Sequence, residues 1–384
     1  MNYEQEKHVS KNLLVISITI LFFSISLSSF STAVYTLNNS YMQISNGNTL
    51  YVGGTGEGNY TMIQEAIDNA SDGDTVYVYD ESSPYHENVM ISKSINLVGE
   101  NRNTTIVDGN YSKNVVNISV DRVTIKELTI QNSGDEYFTD AGITIYSNFN
   151  TIKDNIISNN ENGIYLLGSE FNTIYNNIIT LNNEEGIFLW SYNNTISKNN
   201  ISLNRNYGIR ILDCKNNIIM NNIINRNGYW GDWIWSGGGL NVGNSSNNTI
   251  FGNEISKNCL FGITLLHYSN YNIIKGNKIT NHNSLGGIVI QFNSDNNSIE
   301  GNAISKNLGG ISIADSNKNN ILKNNFFNNK PNALFGDCTN VWGKNYWNRP
   351  RILPKLIFGM VKINSRYRLH INIDWFPAKK PYEI

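Results

Sequence analysis

Apolar side chains alternate with polar ones in short bursts along most of the chain. Ile164 and Leu166, Ile187 and Leu189, and Ile209 and Ile211 sit two apart, so both members of each pair share a face and the residue between them points the other way. This spacing predicts strands. The bursts fall within a longer register, N-[TSI]-I-x-x-N-x-I-x-x-N-(loop)-G-[IL]-x-[LIV], opened by Asn150, Asn172, Asn194, Asn217, Asn248, Asn272, Asn297 and Asn320. Successive starts are 22, 22, 23, 31, 24, 25 and 23 residues apart. Strand alternation at such a period predicts a solenoid in which each repeat is one coil. Parallel crossovers wind right-handed, so the expected fold is all-β: a single-stranded right-handed parallel β-helix.

Within the register a second asparagine recurs as Asn155, Asn177, Asn199, Asn222, Asn253, Asn277, Asn302 and Asn325. Stacked about 4.8 Å apart, their amides can bond one another along the coil axis. These asparagines read as framework. Gly142, Gly163, Gly186, Gly208, Gly262, Gly287 and Gly310, each before a last strand, read as turn positions that need positive φ.

The ends of a solenoid must be closed by other segments. Thr61 and Gln64 have capping-box spacing ahead of Ile63, Ala66, Ile67 and Ala70, which predicts a short N-terminal capping helix. Strands are expected at Val76–Tyr79, Val89–Ile91, Ile95–Val98, Thr105–Val107 and Val115–Ile118. The organisation is read as follows: 1–33 a signal peptide or N-terminal membrane anchor, 34–58 a leader, 59–122 the N-terminal cap and first coils, 123–347 regular rungs, and 348–384 a basic, aromatic C-terminal cap. The first assignment rests on the apolar run from Leu13 to Phe30 after Lys7 and Lys11, ending in Ser31-Thr32-Ala33. It predicts export to the extracellular side or cell surface.

A net charge of -2 with 384 residues gives the whole molecule no attraction to nucleic acid. Cys214, Cys259 and Cys338 have no metal-type spacing and are odd in number. His8, His86, His267, His282 and His370 are scattered. The sequence calls for no metal ligand set. The segment after Asn348 carries Arg349, Arg351, Lys355, Lys362, Arg366, Arg368, Lys379 and Lys380 against Asp374 and Glu383, with Trp375, Phe376 and Tyr382. It reads as a cap whose aromatics cover the last rung, or as a basic surface for an acidic polymer or anionic lipid.

The segments Thr61–Asp68, Gly73–Val78, Tyr85–Val89, Ser94–Glu100 and Thr104–Gly109 resemble the opening coils of carbohydrate-active β-helix proteins. The rungs that follow resemble the PbH1 repeats of the class of carbohydrate-binding proteins and sugar hydrolases, which includes NosD-type periplasmic copper-accessory proteins. Asn345-Tyr-Trp347, Asp374-Trp-Phe-Pro-Ala378 and Pro381-Tyr382 resemble the ending of archaeal surface β-helix proteins. The resemblance implies the fold. It transfers no catalytic set, because the motifs of pectin methylesterases, pectate lyases, polygalacturonases and alginate epimerases are missing.

Residues at one repeat position form a column, and insertions there emerge from one edge. The segments between Asn132 and Gly142 and between Asn227 and Gly239 are both expanded at the same corner, bringing Asp135 and Glu136 on one side and Tyr229, Trp230, Asp232, Trp233 and Trp235 on the other. Shorter loops between them carry Glu161, Glu184, Glu185, Arg205 and Tyr207, and the next strands point Tyr165 and Leu167, Phe188 and Trp190, and Arg210 and Leu212 outward. An outward aromatic floor between two walls suits the C–H face of a sugar, with carboxylates and Arg for its hydroxyls. The expected partner is therefore a polysaccharide or glycoprotein glycan, bound or scaffolded by a monomer. If the trough is catalytic, Glu161, Glu184, Glu185 and Asp232 are the candidate acid/base groups and Arg210 or Arg205 the charge-stabilising one. A hydrolase would use paired carboxylates, and a lyase would bring in Ca²⁺. NosD-like copper assistance is the remaining alternative, and no cofactor is otherwise called for.

Overall fold

The computed structural model describes residues 47–384 apart from 137–138, 229–236, 283 and 364–365. The apolar run from Leu13 to Phe30 lies outside the described residues. Strands of the described residues stack into three sheets of 13, 13 and 12 strands, so nearly every coil contributes one strand to each face. A typical coil runs Thr151–Lys153 in the first sheet, Ile156–Ser158 in the second and Asn162–Glu170 in the third, before Thr173–Tyr175 returns to the first. The rung-to-rung pairings of the coil are parallel, for example Ile152↔Ile174 and Ile157↔Ile179, and the register shifts by one between Leu167↔Trp190 and Glu170↔Tyr192.

Register is fixed by the interior. Ile152, Ile174, Ile196, Ile219, Ile250, Ile274, Ile299 and Ile321 form one column, all 0% exposed. Each buried isoleucine contributes roughly 1.5–3 kcal/mol, and a one-residue slip would turn the whole column outward.

Three asparagine ladders hold the turns. The first runs from Asn150 through Asn172, Asn194, Asn217, Asn248, Asn272, Asn297 and Asn319 to Asn340. The second runs from Asn155 to Asn345, and within it Asn199 donates from its backbone (2.9 Å) and its side chain (3.0 Å) to Asn222 Oδ1. The last expected members are corrected by one residue: Asn319 and Asn324, not Asn320 and Asn325, occupy the ladders. Asn325 instead exchanges hydrogen bonds with the Tyr382 backbone, at 2.8 and 2.9 Å, which pins the C-terminal tail. The third ladder, Asn160, Asn182, Asn204, Asn227 and Asn258, changes residue type at His282 before resuming at Asn307.

The glycines before the third-sheet strands serve a different purpose from the expected one. None of them has positive φ; the left-handed residues precede the ladder asparagines instead, as at Asp154 (59°), Asn176 (54°) and Lys198 (55°). At Gly186 a Cβ would lie 2.7 Å from Asn204 Nδ2 and 2.7 Å from Gly208 O, so glycine is required by the close approach of the next rung.

The helix Ile63–Asn69 closes the N-terminal end with Ile63, Ala66 and Ile67 fully buried. Its expected capping box does not form. The Glu87 carboxylate accepts from Ile63 N (2.8 Å) and Gln64 N (2.9 Å) instead, placing an anion at the helix start. The strand Thr49–Val52, inside the segment read as a leader, is already the first rung of the first sheet, and Tyr85–His86 starts the second. At the other end a hairpin of Lys355–Ile363 and Arg366–Asp374 extends the third sheet. Trp347 (1% exposed) stacks on Phe326 at 4.5 Å beneath it, whereas Trp375 and Phe376 are 61% and 78% exposed. Those two aromatics do not cover the last rung.

Candidate functional site

The third ladder leads into the third sheet through a corner where the chain is polar on successive rungs: Glu161, then Asn183, Glu184 and Glu185, then Arg205, Asn206 and Tyr207. Backbone bonds stack these segments, with Glu184 N donating to Glu161 O (2.7 Å) and Asn206 N to Glu184 O (3.1 Å). Three expected carboxylates are thereby brought to one edge. The Asn206 amide bridges two of them, 3.2 Å from Glu184 Oε2 and 3.1 Å from Glu185 Oε1.

Glu185 is 1% exposed, and Arg210 Nη1 donates to its Oε1 at 3.1 Å. Burial pushes its carboxyl up to about 7 against the opposing pull of Arg210. Glu161 is raised by burial and then by the neighbouring Glu184. Glu184 is raised by burial, while Asn206 and both arginines pull the other way. The edge is thus a set of carboxyls that exchange protons above their ordinary range, with Arg205 and Arg210 among them. Asp135 and Glu136 are exposed on the preceding expanded segment. Tyr229, Trp230, Asp232, Trp233 and Trp235 lie outside the described residues.

The outward residues of the third sheet form a cluster separate from the coil interior. Ala141, Tyr165 and Phe188 pack together with Leu167 and Leu212 against them. Tyr165 and Phe188 stack at 5.0 Å, and the Arg210 guanidinium lies 5.3 Å from the Phe188 ring. Both aromatics do point away from the interior, yet Tyr165 is only 4% and Phe188 only 1% exposed. The floor expected to be open is closed at these two rings.

What remains open is the far end of the same strands. Trp190 pairs with Leu167, and Tyr146 follows Ile145, the partner of Leu166, so Tyr146, Leu167 and Trp190 occupy one position on successive rungs. Trp190 is 45% and Tyr146 49% exposed. Beyond the turn, Phe149 and Phe171 stack at 5.2 Å and are half exposed, with Arg122 5.5 Å from the Phe149 ring. Sequence reasoning missed Tyr146, Phe149 and Phe171 because they fall just after the strand positions that define the repeat. Phe149 and Phe171 recur at one turn position, directly before Asn150 and Asn172, and that recurrence was the available signal.

Among the described residues no three His, Cys, Asp or Glu side chains are placed to hold a metal ion. His282 is fully buried, with its ring nitrogens facing Asn258 O (3.3 Å) and Ile255 O (3.2 Å). Cys214 is buried, and its thiol faces Leu212 O (2.8 Å) and Leu189 O (3.2 Å). His267 stacks on Phe292.

Three parallel sheets in register around an isoleucine interior, with asparagine-laddered turns, define a parallel β-helix protein. The family model of the right handed beta helix region matches residues 111–270, and that of the periplasmic copper-binding protein NosD matches residues 232–362. The chain is a right-handed parallel β-helix protein, similar over those two stretches to the two families. No curated protein matches it. Among solved structures it is similar to the A-module of the Azotobacter vinelandii mannuronan C-5 epimerase AlgE6, at 16% identity and a TM-score of 0.56 over 74% of this chain and 88% of that one. It is also similar to an alginate lyase from Paenibacillus sp. (15%, TM-score 0.53, 66% and 94%). A third is DFA-IIIase from Arthrobacter chlorophenolicus A6 (13%, TM-score 0.57, 78% and 94%). These likenesses establish the fold.

Proposed function

We propose that this is an exported β-helix protein that holds an extended glycan along the outer edge of its third sheet. The observation that carries this reading is the pairing, across neighbouring strands of one sheet, of exposed aromatics at one end (Tyr146 and Trp190) with a carboxyl, amide and guanidinium edge at the other (Glu161, Glu184, Asn206 and Arg205). From residue 185 to residue 190 a strand spans about 16 Å, room for a short run of sugar rings. Aromatic faces stack on sugar C–H surfaces, and carboxyls and amides take the hydroxyls. The carboxyls outnumber the two arginines, which favours a neutral glycan over a polyuronate such as the alginate named for the solved lyase. Among the described residues no helix is long and apolar enough to cross a membrane. The export assignment rests on the N-terminal apolar run.

A second reading, hydrolysis in the same place, is favoured by Glu185, whose carboxyl at about 7 has the proton affinity of an acid/base group near neutrality. A panel of immobilised neutral and acidic glycans, followed by product analysis of every hit, tests both. Retention of neutral glycans without new reducing ends supports binding, and turnover lost in Glu184→Gln or Glu185→Gln supports hydrolysis. Retention of no glycan by the wild-type protein defeats both readings.

A further inference from the structure

We propose that the C-terminal hairpin is a docking face for an anionic lipid bilayer, separate from the glycan edge. In an antiparallel pair, residues directly opposite each other share a face. The register therefore places Leu356 with Ile373, Phe358 with Ile371, and Met360 with Leu369 on one face of the hairpin. The end of the other face nearest the coil belongs to the protein: Ile357 is 1% exposed, Asp374 is buried, and His370 meets the Phe335 ring edge-on at 6.0 Å. On the outward face, Leu356, Phe358, Met360, Leu369 and Ile371 are between 39% and 67% exposed. Leu334 on the adjoining rung, 43% exposed, continues it. An apolar patch of this extent is rare on a surface that meets only water.

Charge selects the occupant. Residues 349–384 hold 8 Lys and Arg against 2 Asp and Glu, a net of +6, so residues 1–348 carry 21 against 29, a net of -8, which together give the chain's -2. Of the two acids in the segment, Asp374 is buried and bound to backbone and indole N–H groups. Lys362 is exposed on the apolar face, opposite Tyr367, and Arg366 and Arg368 are exposed on the reverse face near the hairpin's turn, with Trp375 and Phe376 beyond its end. A two-fold pairing of the apolar faces would leave the two arginines of each hairpin without an opposite charge. An acidic polymer would leave the apolar face wet. A bilayer with anionic headgroups takes both, the apolar face at the acyl boundary and the cations at the phosphates.

The test uses the full chain and vesicles of phosphatidylcholine with about one-third phosphatidylglycerol, read by hydrogen exchange of the strand Arg366–Asp374, so that attachment through the N-terminal run does not count. The proposal expects the strand to be protected on anionic vesicles and not on pure phosphatidylcholine. Arg366→Gln with Arg368→Gln should weaken the vesicle concentration dependence at least tenfold. Phe358→Ser with Leu369→Ser should abolish protection. If the apolar pair lowers the melting point, the arginine pair, fully on the surface, still decides. Equal protection on both vesicle types, or none on either, overturns the proposal. So does protection that rises with protein concentration in the absence of lipid, which would make the face an interface between copies of the chain.

Discussion

Asp374 stands where the next asparagine of the second ladder would be and accepts from Asn345: its Oδ2 lies 3.0 Å from the Asn345 backbone nitrogen and 3.3 Å from Nδ2. The same oxygen takes the Trp347 indole N–H at 3.0 Å, and Oδ1 takes Lys344 N at 3.1 Å. A ladder needs an acceptor at its end, and a carboxylate from the hairpin supplies it. The hairpin is thereby joined to the last coil.

Asp374→Ala should therefore lower stability by about 1–3 kcal/mol, the cost of leaving buried donors unmet. Asp374→Asn should lower it less, since one amide oxygen can replace Oδ2 but the amide nitrogen meets Lys344 N. Urea unfolding of the two variants checks the order. Equal midpoints for alanine and wild type would show that the ladder end is unimportant.

In the middle of the same ladder, Asn199→Leu removes the acceptor of Asn177 N and Nδ2 and the donor to Ile174 O. A loss of about 1–3 kcal/mol is expected here as well, with no change in the spacing of the strands. Thermal unfolding followed by circular dichroism measures it. A midpoint equal to that of wild type would remove the ladder from the stability account.

Two buried titrating groups should tilt the stability curve in opposite directions. Burial holds His282 down to about 4 from 6.5, so the unfolded chain binds its proton more readily than the fold does. Its contribution is complete above about pH 6.5 and is lost as pH falls toward 4. His282→Asn, which restores the ladder residue, should remove this acid sensitivity. Glu185 is raised from 4.5 to about 7, so its contribution is complete below about pH 4.5 and is lost as pH rises through 7. Glu185→Gln should remove that alkaline loss and leave the acid limb. Melting points from pH 4 to 8 for both variants separate the two effects, and parallel curves for wild type and either variant would contradict the assignment for that group.

The coil was legible because its interior repeats. Ile164 and Leu166 must face inward on every rung, and that demand writes itself into the sequence at a fixed period. The ladder was legible for the same reason, except at Asn320 and Asn325, where runs of adjacent asparagines let the register slide by one. His282 was not, because the repeat is read by its asparagines and an imidazole in the same place, its ring facing Asn258 O and Ile255 O, leaves no asparagine to read. The site was only partly legible. Alternation gave the outward direction of Tyr165 and Phe188, but exposure depends on what lies over a face, and no period in the strand records that. Glu161, Glu184 and Glu185 lie along one edge, since they fall in the same loop of adjacent rungs, just after the ladder asparagines Asn160 and Asn182. Tyr146 sits one residue beyond the strand Ala141–Ile145, four residues after Gly142 as Leu167 follows Gly163 and Trp190 follows Gly186, so the period did mark it.

The central claim is that the exposed aromatics Tyr146 and Trp190, on rungs either side of Leu167, hold a glycan. Isothermal titration of the best neutral glycan into wild type, Trp190→Ala and the Trp190→Ala, Tyr146→Ala pair tests it most directly. A stacked sugar depends on one or two aromatic anchors, each worth about 2 kcal/mol or more, so affinity should fall at least tenfold in the single variant and beyond detection in the pair. The melting point should hold, because neither ring fills the coil interior. Unchanged affinity in the pair, or a sharp drop in melting point without any change in affinity, would contradict the account and leave this face a structural surface.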